Sequence, residues 1–353
     1  MSHTYLITLK PLEPFFFGGE YTFGADESRK ETSRYSATST QFPQQTAILG
    51  MLRKTMLIQN NNLTMHKKGE WVDSRGRGTQ DSNYTNAKKL VGTEAFFYEK
   101  AIDLGVIEEL SPILIQTKES NYIANAKDDG LRLKELPKSK ISFGKGVQKA
   151  YIFENFNAKT HEFFAFVSKY GDRKNYTDFF KEVKRVGIKK SPDGETQDDA
   201  FFRKKSYYPK DGAYFAFFAT FSTPIEWEKE SIVTFGADQS SFRLNIKSSS
   251  TNFKEMFSKC YEAQTYNRIV LASETLLSQK VYESCFFVYG SRQSYRQLSD
   301  AKHGKKSKRY YLLERGSVLY TEELEALEQE LNQTHLQKIG INHYFTIKGL
   351  KNV

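Results

Sequence analysis

The sequence has few of the residues that build disulfide frameworks, cysteine metal sites or membrane spans. It holds two cysteines in 353 residues, Cys260 and Cys285, and neither lies in a Cys-x-x-Cys pair. This spacing excludes a disulfide framework and a cysteine zinc site, and it favours a reducing compartment. No stretch approaches about 20 uninterrupted apolar residues, and the N-terminus has no long apolar segment. We therefore expect a soluble, cytoplasmic protein without a membrane partner.

Signatures of common catalytic and metal sites are also missing. The sequence has no G-x-x-x-x-G-K-[ST] phosphate loop, and its six histidines are scattered, with no pair at the spacing of helical metal ligands. His161-Glu162 begins like a zinc-protease motif but lacks the second histidine. The acidic pairs at 128–129 and 198–199 could bind a divalent cation, but their polar, glycine-containing surroundings favour solvated turns. These absences predict a protein that is not an enzyme and needs no cofactor or metal.

The sequence is rich in aromatic residues and in positive charge. Hydrophobic residues make up 39% and aromatic residues 14% of its 353 residues, which suits two globular domains of ordinary size. The net charge is +10. An excess of this sign favours an acidic partner, for which nucleic acid is the commonest candidate, although a charge that serves only solubility stays open.

The order of the predicted elements indicates the fold class. Strand-like and helix-like segments occur in both halves without a βαβα alternation, which predicts an α+β fold with antiparallel sheets. The chain changes character at residues 222–230, so we predict one domain over residues 1–222 and a second over residues 223–353. The pentapeptide TFGAD occurs at 22–26 and again at 234–238. This repeat hints at a duplication, with chance as the open alternative.

Four further segments have local patterns. Residues 59–89 read as a long polar loop, residues 151–167 as one hairpin, and residues 176–186 as a helix. The chain that follows is typical of a long hairpin arm, with its tip at residues 191–199 and a return strand from Phe201 to Tyr208.

Residues 36–58 predict a helix whose entrance is polar. A Ser/Thr-rich lead-in precedes Pro43, which is typical of a first helical turn. Gly50 costs roughly 1 kcal/mol inside a helix relative to alanine, so we expect a close backbone approach there. Just upstream, Gly18 and Gly19 punctuate a run of aromatic residues. We expect this glycine turn and the helix mouth to form one backbone-rich polar surface. The residues predicted for the apolar face of the helix are Ile48, Leu49, Leu52 and Met56.

Three segments interleave cations with aromatic residues, as proteins that hold single-stranded RNA do. Cations bind phosphates and aromatic rings stack on unpaired bases. The segments are residues 29–35, which include Arg34, the FRKKSYY stretch at 202–208, and residues 295–309. Solvated strand faces and loops are the alternative reading of the same residues.

Several motifs together resemble a known family. A first strand is followed by P-L-x-P-F-F-F-G-G and then by F-P-x-x-[ST]-x-x-x-G-x-[LM]-R, which is similar to the RAMP superfamily of CRISPR effector subunits, and most similar to subunit three of the Cmr, or type III-B, complex. RVGI at 185–188, FGADQSSFRL at 235–244, GSVLY at 316–320 and IGINHYF at 339–345 resemble later segments of that family. The matching N-terminal residues are Pro11, Leu12, Pro14, Phe15, Phe16, Phe17, Phe42, Pro43, Thr46, Gly50, Leu52 and Arg53.

The resemblance implies two ferredoxin-like (RRM-like) domains and no catalytic site. It implies a scaffold subunit that binds the 5′ tag of the CRISPR RNA. The protein partners that it implies are a Cas10-type large subunit and the first backbone RAMP subunit of the Cmr complex. The residues predicted to bind RNA are Arg34, Gln44, Gln45, Thr46, Arg53, Arg185, Lys189, Lys190, Arg203, Lys204 and Lys205.

Three alternatives stay open. One is the equivalent subunit of a type III-A complex, which would share the architecture. Another is a metal-independent RAMP endoribonuclease that processes CRISPR precursor RNA, with His66 or His343 as a proton-transfer group. The third is a two-domain RNA-binding protein outside CRISPR systems.

Overall fold

The computed structural model describes most of the chain. The predictions made for residues 29–33, for His161-Glu162, for the acidic pair at 128–129 and for Cys260 lie outside the described residues. The described residues are 2–19, 21–24, 34–62, 64–67, 70–73, 82–92, 96–126, 132–143, 146–154, 164–210, 212–258, 266–276, 278–296, 298–300 and 305–349.

These residues form many short strands and a few helices. The helices are α1 (Gln45–Gln59), α2 (Ser82–Val91), α3 (Tyr176–Phe179), α4 (Phe253–Phe257), α5 (Gln279–Glu283), α6 (Leu324–Leu331) and α7 (Thr334–Gln337). The strands up to residue 221 are β1 (His3–Pro11), β2 (Tyr21–Gly24), β3 (Arg34–Thr38), β4 (Thr64–Lys67), β5 (Glu70–Asp73), β6 (Ile107–Leu110), β7 (Leu114–Gln116), β8 (Asn121–Ala126), β9 (Arg132–Phe143), β10 (Gly146–Glu154), β11 (Phe164–Ser168), β12 (Arg173–Lys174), β13 (Phe180–Lys190), β14 (Thr196–Pro209) and β15 (Tyr214–Phe221). The later strands are β16 (Glu230–Phe235), β17 (Ser240–Ser248), β18 (Arg268–Leu271), β19 (Thr275–Leu276), β20 (Phe287–Tyr289), β21 (Arg292–Tyr295), β22 (Leu298–Asp300), β23 (Lys305–Lys306), β24 (Tyr310–Leu313), β25 (Val318–Tyr320) and β26 (Tyr344–Ile347).

The strands pair antiparallel almost throughout, which confirms the predicted α+β fold with antiparallel sheets. The parallel exception is β3 on β14, where Tyr35 lies beside Phe202. The predicted hairpin arm is also confirmed, since β13 and β14 pair from Phe180 opposite Pro209 to Lys190 opposite Thr196. Its tip is shorter than predicted, because β14 begins at Thr196.

Two compact units make up the chain, and each is assembled from two segments. The first unit consists of Met1–Ser120 and Tyr176–Thr251, and the second of Asn121–Asn175 and Asn252–Val353. Our prediction instead placed a single boundary after residue 222. That boundary between ferredoxin-like domains stays a prediction.

The first unit is built on a sheet with the order β7-β15-β1-β17-β16, and β6 also pairs with β15. Phe215 to Ala219 of β15 are all buried, and so are Ile7 and Leu9 of the neighbouring β1. Aromatic rings fill the core at one end of this sheet: Phe15 packs edge to face on Phe215 at 5.4 Å, and Phe180 stacks on Phe215 at 5.0 Å. Such pairs add roughly 0.5–1.5 kcal/mol each beyond their buried area.

Helix α1 follows the predicted pattern, except at its glycine. The four predicted apolar residues, from Ile48 to Met56, are all buried. Gly50 is exposed, and a Cβ at this position would meet no heavy atom of the described chain within 4 Å. The expected close approach at Gly50 is therefore wrong within this chain. In the glycine turn upstream, Gly19 cannot hold a side chain, since its Cβ would lie 1.9 Å from the Thr38 carbonyl oxygen.

Three local predictions are wrong for a shared reason. The helix predicted over 176–186 stops at Phe179, and the chain continues as strand β13. Strand β10 pairs with β9, and β11 pairs with β8 and β12, so residues 151–167 are not one hairpin. Residues 59–89 contain β4, β5 and the start of α2. In each case strand pairing decided a structure that local periodicity left ambiguous: β13 pairs with β14, β10 with β9 and β4 with β5, all neighbours along the chain, while β11 pairs with the more distant β8.

The second unit contains a sheet with the order β20-β25-β18-β26, which packs on α5 and α6 through Leu271, Leu319 and Leu327. Its interior also holds polar groups. The buried Arg315 donates to Glu274 Oε1 from Nε at 3.1 Å and from Nη2 at 2.5 Å. His343 Nε2 donates to the Gln337 carbonyl at 2.8 Å, and the His343 backbone N–H donates to Ser273 Oγ at 2.9 Å. No described helix in either unit is long and apolar enough to cross a membrane.

Alanine substitutions at Gly50 and Gly19 should have opposite effects on the free energy of unfolding. Gly50→Ala should raise the free energy of unfolding by about 1 kcal/mol, because the added methyl group meets open space and helix propensity improves. Gly19→Ala should lower it by on the order of 3 kcal/mol, because the backbone must shift to relieve the overlap with Thr38. Urea denaturation of the full-length variants measures both. A Gly50→Ala chain less stable than the wild type would contradict the placement of α1.

Burial of His343 predicts a pH-dependent stability. Burial lowers the pKa of its imidazole to about 4, against the partly opposing hydrogen bond to Gln337. The unfolded chain therefore binds a proton below about pH 6.5 that the folded chain refuses, so stability falls as pH falls from 6.5 towards 4. His343→Gln, which retains an N–H donor, should remove about 2 kcal/mol of the stability change between pH 7 and pH 5. Urea denaturation of the wild type and the variant at pH 7 and pH 5 tests this. An equal change in stability between the two pH values for both proteins would place the imidazole in solvent.

Candidate nucleic-acid interface

At the mouth of helix α1, the predicted RNA-binding residues are either half-buried or fully buried. Gln44 precedes the helix, and its carbonyl accepts the backbone N–H groups of Ala47 at 2.9 Å and Ile48 at 3.1 Å. The side chains of Gln44 and Thr46 are half-buried. Gln45 is 2% exposed, and its Nε2 donates to the Ser111 carbonyl at 2.8 Å. Gln45 therefore anchors the helix start inside the unit, and its RNA contact stays a prediction.

The glycine turn lies directly against this helix mouth. The Thr40 backbone N–H donates to the Gly18 carbonyl at 2.7 Å, and the Phe17 N–H donates to Ser39 Oγ at 2.9 Å. A third bond runs from the Ser39 N–H to the Lys205 carbonyl on the arm at 3.0 Å. The turn, the helix mouth and the base of the arm thus form one continuous surface. The sequence predicted the first two as neighbours but not the third.

The register of the arm divides its cations between two faces. Arg185 lies opposite Lys204, while Val186 lies opposite Arg203 and Lys184 lies opposite Lys205. Residues directly opposite in an antiparallel pair share a face, and neighbours along a strand alternate. One face therefore carries Arg185 and Lys204, and the other carries Lys184, Arg203 and Lys205.

Lys204 on the first face is held by its own unit. Its ammonium pairs with the carboxylate of Asp238 and lies over the Phe16 ring, 4.6 Å from the centroid. Burial, and then the nearby Arg185, lower the pKa of Lys204. Glu13 also lies near Arg185. Its carboxylate accepts a hydrogen bond from the Ser241 backbone N–H at 2.7 Å. This bond lowers the pKa of Glu13, and the charge of Arg185 lowers it further. Arg185 itself is exposed.

The second face leaves one arginine unengaged. Glu182 Oε1 lies 3.2 Å from Lys184 Nζ, and its Oε2 lies 3.4 Å from Lys205 Nζ. Burial alone would raise the pKa of Glu182, but these two lysines outweigh it, and the pKa is lowered. Arg203 is exposed and has no ion-pair partner in the described part of the chain. Arg203 and Arg185 are thus the arm cations best placed to meet an external anion.

The other predicted cations are further from this surface or less completely described. Lys190 is exposed at the outer end of β13. Arg34 lies on β3 and Lys189 on β13, but their side chains lie outside the described part of the structure. Arg53 donates from Nη2 to the Asp103 carbonyl at 3.1 Å, and burial lowers its pKa against the attraction of Asp103. Arg53 therefore holds the loop around Asp103 within its own unit.

Sequence reasoning missed several residues at this surface. Asp238 and Glu182 neutralise part of its charge, and the turn that carries Asp238 packs on the glycine turn through the Ala237 N–H, which donates to the Phe16 carbonyl at 3.0 Å. Val186 and Ile188 are 66% and 45% exposed on the face of Arg203. The two-residue alternation of β13 was a usable signal for that apolar pair. Nothing in the sequence indicated that FGAD would meet Lys204.

One histidine of the endoribonuclease alternative is buried. His343 is buried in the second unit, with Nε2 occupied by the Gln337 carbonyl. His66 lies on β4, and its side chain is not among the described ones. In the described part of the chain, no group of three His, Cys, Asp or Glu side chains is arranged to hold a metal ion.

Comparisons with known proteins agree with this architecture. In the cryo-EM structure of the Type III-B Cmr-beta bound to cognate target RNA, one chain is similar over 97% of this chain and 96% of its own, with 14% identity and a TM-score of 0.52. A chain of the same complex bound to cognate target RNA and AMPPnP, state 1, is similar over 96% of both chains, with 13% identity and a TM-score of 0.51. Similarity at this identity establishes the fold. No curated protein matches the sequence.

The sequence itself matches a family model over more than half of its length. The model is described as CRISPR-associated protein (Cas_Cmr3), and it covers residues 167–349, which include the arm and the FGADQSSFRL, GSVLY and IGINHYF motifs. The match confirms the family that the motifs indicated: the chain belongs to the Cas_Cmr3 family of CRISPR-associated proteins.

Proposed function

We propose that this chain is a non-catalytic scaffold subunit of a type III-B CRISPR effector complex and binds the 5′ tag of the CRISPR RNA at the base of its arm. Its protein partners would be a Cas10-type large subunit and the first backbone RAMP subunit. Family membership supports a place in a CRISPR system. The fold supports the same reading, since similar chains occur in Cmr complexes bound to RNA.

The observation that carries the RNA contact is the pair of exposed arginines at the arm base. Arg185 and Arg203 occupy opposite faces of one two-stranded ribbon, and the backbone of the helix mouth is bonded to that ribbon at Lys205. Guanidinium groups bind phosphate with two parallel hydrogen bonds. Backbone N–H groups at a helix start add donors for a phosphate. The exposed Val186 and Ile188 offer an apolar contact for an unstacked base.

Carboxylates lower the net positive charge of this surface, and a moderate charge favours binding of RNA at defined positions. Three carboxylates, those of Glu13, Glu182 and Asp238, stand among its cations. Lys204 and Lys205 are engaged by two of them, so they shape the surface more than they bind an external anion. This refines the predicted set of contact residues to a smaller group centred on the arginines.

The alternatives give different experimental results. A type III-A subunit would have the same gross behaviour, and the genes beside this one distinguish it. A processing endoribonuclease would cut repeat RNA as the purified protein alone. The burial of His343 supports the non-catalytic reading, because a proton-transfer group must reach the RNA.

Replacing the two arginines together tests the RNA contact. Arg185→Gln with Arg203→Gln should weaken binding of the full-length chain to CRISPR RNA of its own locus by on the order of tenfold. The slope of log affinity against log salt should fall by about 1.4, since each phosphate contact in a single strand releases about 0.7 counterions. Filter binding across a salt series measures the affinity and the slope. Gel electrophoresis of the RNA from the same incubations shows whether it is cleaved.

Two matched variants control this experiment. Lys229→Gln with Lys247→Gln removes the same charge from exposed positions elsewhere in the first unit, and it should leave the salt slope within error. Lys204→Gln should mainly reduce stability, because Asp238 loses its partner. Equal slopes for the arginine and control variants would remove the arm base from the RNA surface. Cleavage of the RNA by the wild type would replace the scaffold proposal with the enzyme.

A further inference from the structure

The second unit holds a small pocket whose chemistry is opposite to that of the arm. It has a volume of about 250 Å³ and is lined by Tyr151 and Phe286 together with Glu283, Glu322 and Glu323. Pockets for drug-sized ligands measure roughly 300–1,000 Å³. This pocket is therefore of a size for a single side chain.

Hydrogen bonds fix the walls of the pocket. Thr321 Oγ1 donates to the Ser284 carbonyl at 2.6 Å and accepts the Glu323 backbone N–H at 2.9 Å. The Phe286 N–H donates to the Tyr320 carbonyl at 3.0 Å. The loop after α5 and the loop before α6 are thus joined to each other. The pocket is formed without a partner, so a ligand would not have to order it.

Aromatic rings provide one wall and carboxylates the rim. The ring centroids of Tyr151 and Phe286 are 4.7 Å apart with an interplanar angle of 41°. Glu283, Glu322 and Glu323 are all exposed at the rim. An aromatic face attracts a cation through its quadrupole, and carboxylates attract it by charge. Burial raises the pKa of Cys285, which also lines the pocket, to about 12, so its thiol adds no charge of its own.

The helix dipole does not account for all three carboxylates. Glu322 and Glu323 precede α6, where acidic groups offset the helix dipole. Glu283 is the last residue of α5, where a carboxylate opposes the dipole, although its Oε1 also accepts a hydrogen bond from Gln279 Nε2 one turn earlier at 2.8 Å. In a chain of net charge +10, three acidic groups around one aromatic pocket are a local exception. They would also repel the phosphates of RNA.

We infer that this acid-rimmed aromatic pocket docks an arginine or lysine side chain of a protein partner. The inference rests on the proposed place of the chain in a multisubunit complex, but not on the RNA contact at the arm. The aromatic wall receives the apolar stem and the face of the cation, and the three carboxylates hold its charge. The basic arm then binds RNA, and this pocket binds a protein partner.

Binding of the full-length chain to each recombinant protein of its own CRISPR locus tests the inference. The variant Glu283→Gln, Glu322→Gln, Glu323→Gln should weaken association with one of these proteins by about tenfold or more, because three charge contacts are lost together. Tyr151→Leu should weaken the same association several-fold, since the cation loses its aromatic wall. Biolayer interferometry at low and high salt measures both.

A matched triple variant and an RNA measurement separate the possible outcomes. Glu119→Gln, Glu226→Gln, Glu228→Gln makes the same charge change at exposed positions of the first unit, and it should bind the protein partner normally. The pocket variants should keep the RNA affinity of the wild type. Unchanged affinity for every protein, or a loss of RNA affinity, would overturn the pocket assignment while leaving the arm intact. If the wild type binds none of these proteins, the proposed assembly role fails and the pocket inference with it.

Discussion

The antiparallel register of β13 and β14 is the constraint on which the proposed RNA surface depends. It places Arg185 beside Lys204 on one face and Arg203 beside Val186 on the other. A shift of one residue would turn every side chain of one strand to the opposite face. The ion pair of Lys204 with Asp238 helps fix this register, because it joins the arm to the turn between β16 and β17. The register therefore decides which cations of the arm face solvent.

The same pairing brings distant motifs of this sequence together. The aromatic run at Phe15 and the FGAD turn meet at the arm base, where Ala237 bonds to the Phe16 carbonyl and Lys204 lies over the Phe16 ring. Phe15 packs on Phe180 at the start of the arm and on Phe215 in the sheet. Apolar packing of these rings therefore fixes the position of the arm. The arm in turn determines where its charged groups lie.

Part of this arrangement could be predicted from the sequence. The period of 3.6 gave the buried face of α1, and alternation with turn residues gave the arm. The β9–β10 hairpin was missed because its lysine-rich strands have no clear apolar face. Gln45 was predicted to bind RNA from the family resemblance, as a residue of the helix mouth, and its side chain points towards Ser111. The direction of the Gln45 side chain depends on a residue 66 positions away, so a local pattern could not supply it.

The arm base is the proposed binding site of the RNA tag. Photo-cross-linking tests this most directly: CRISPR RNA with 4-thiouridine in its repeat-derived 5′ tag is assembled with the full-length chain and its partner proteins, irradiated, and mapped by mass spectrometry. Peptides from residues 181–210 and from the helix mouth at 39–46 should carry the cross-links. Cross-links confined to the second unit, or to other subunits, would contradict the account.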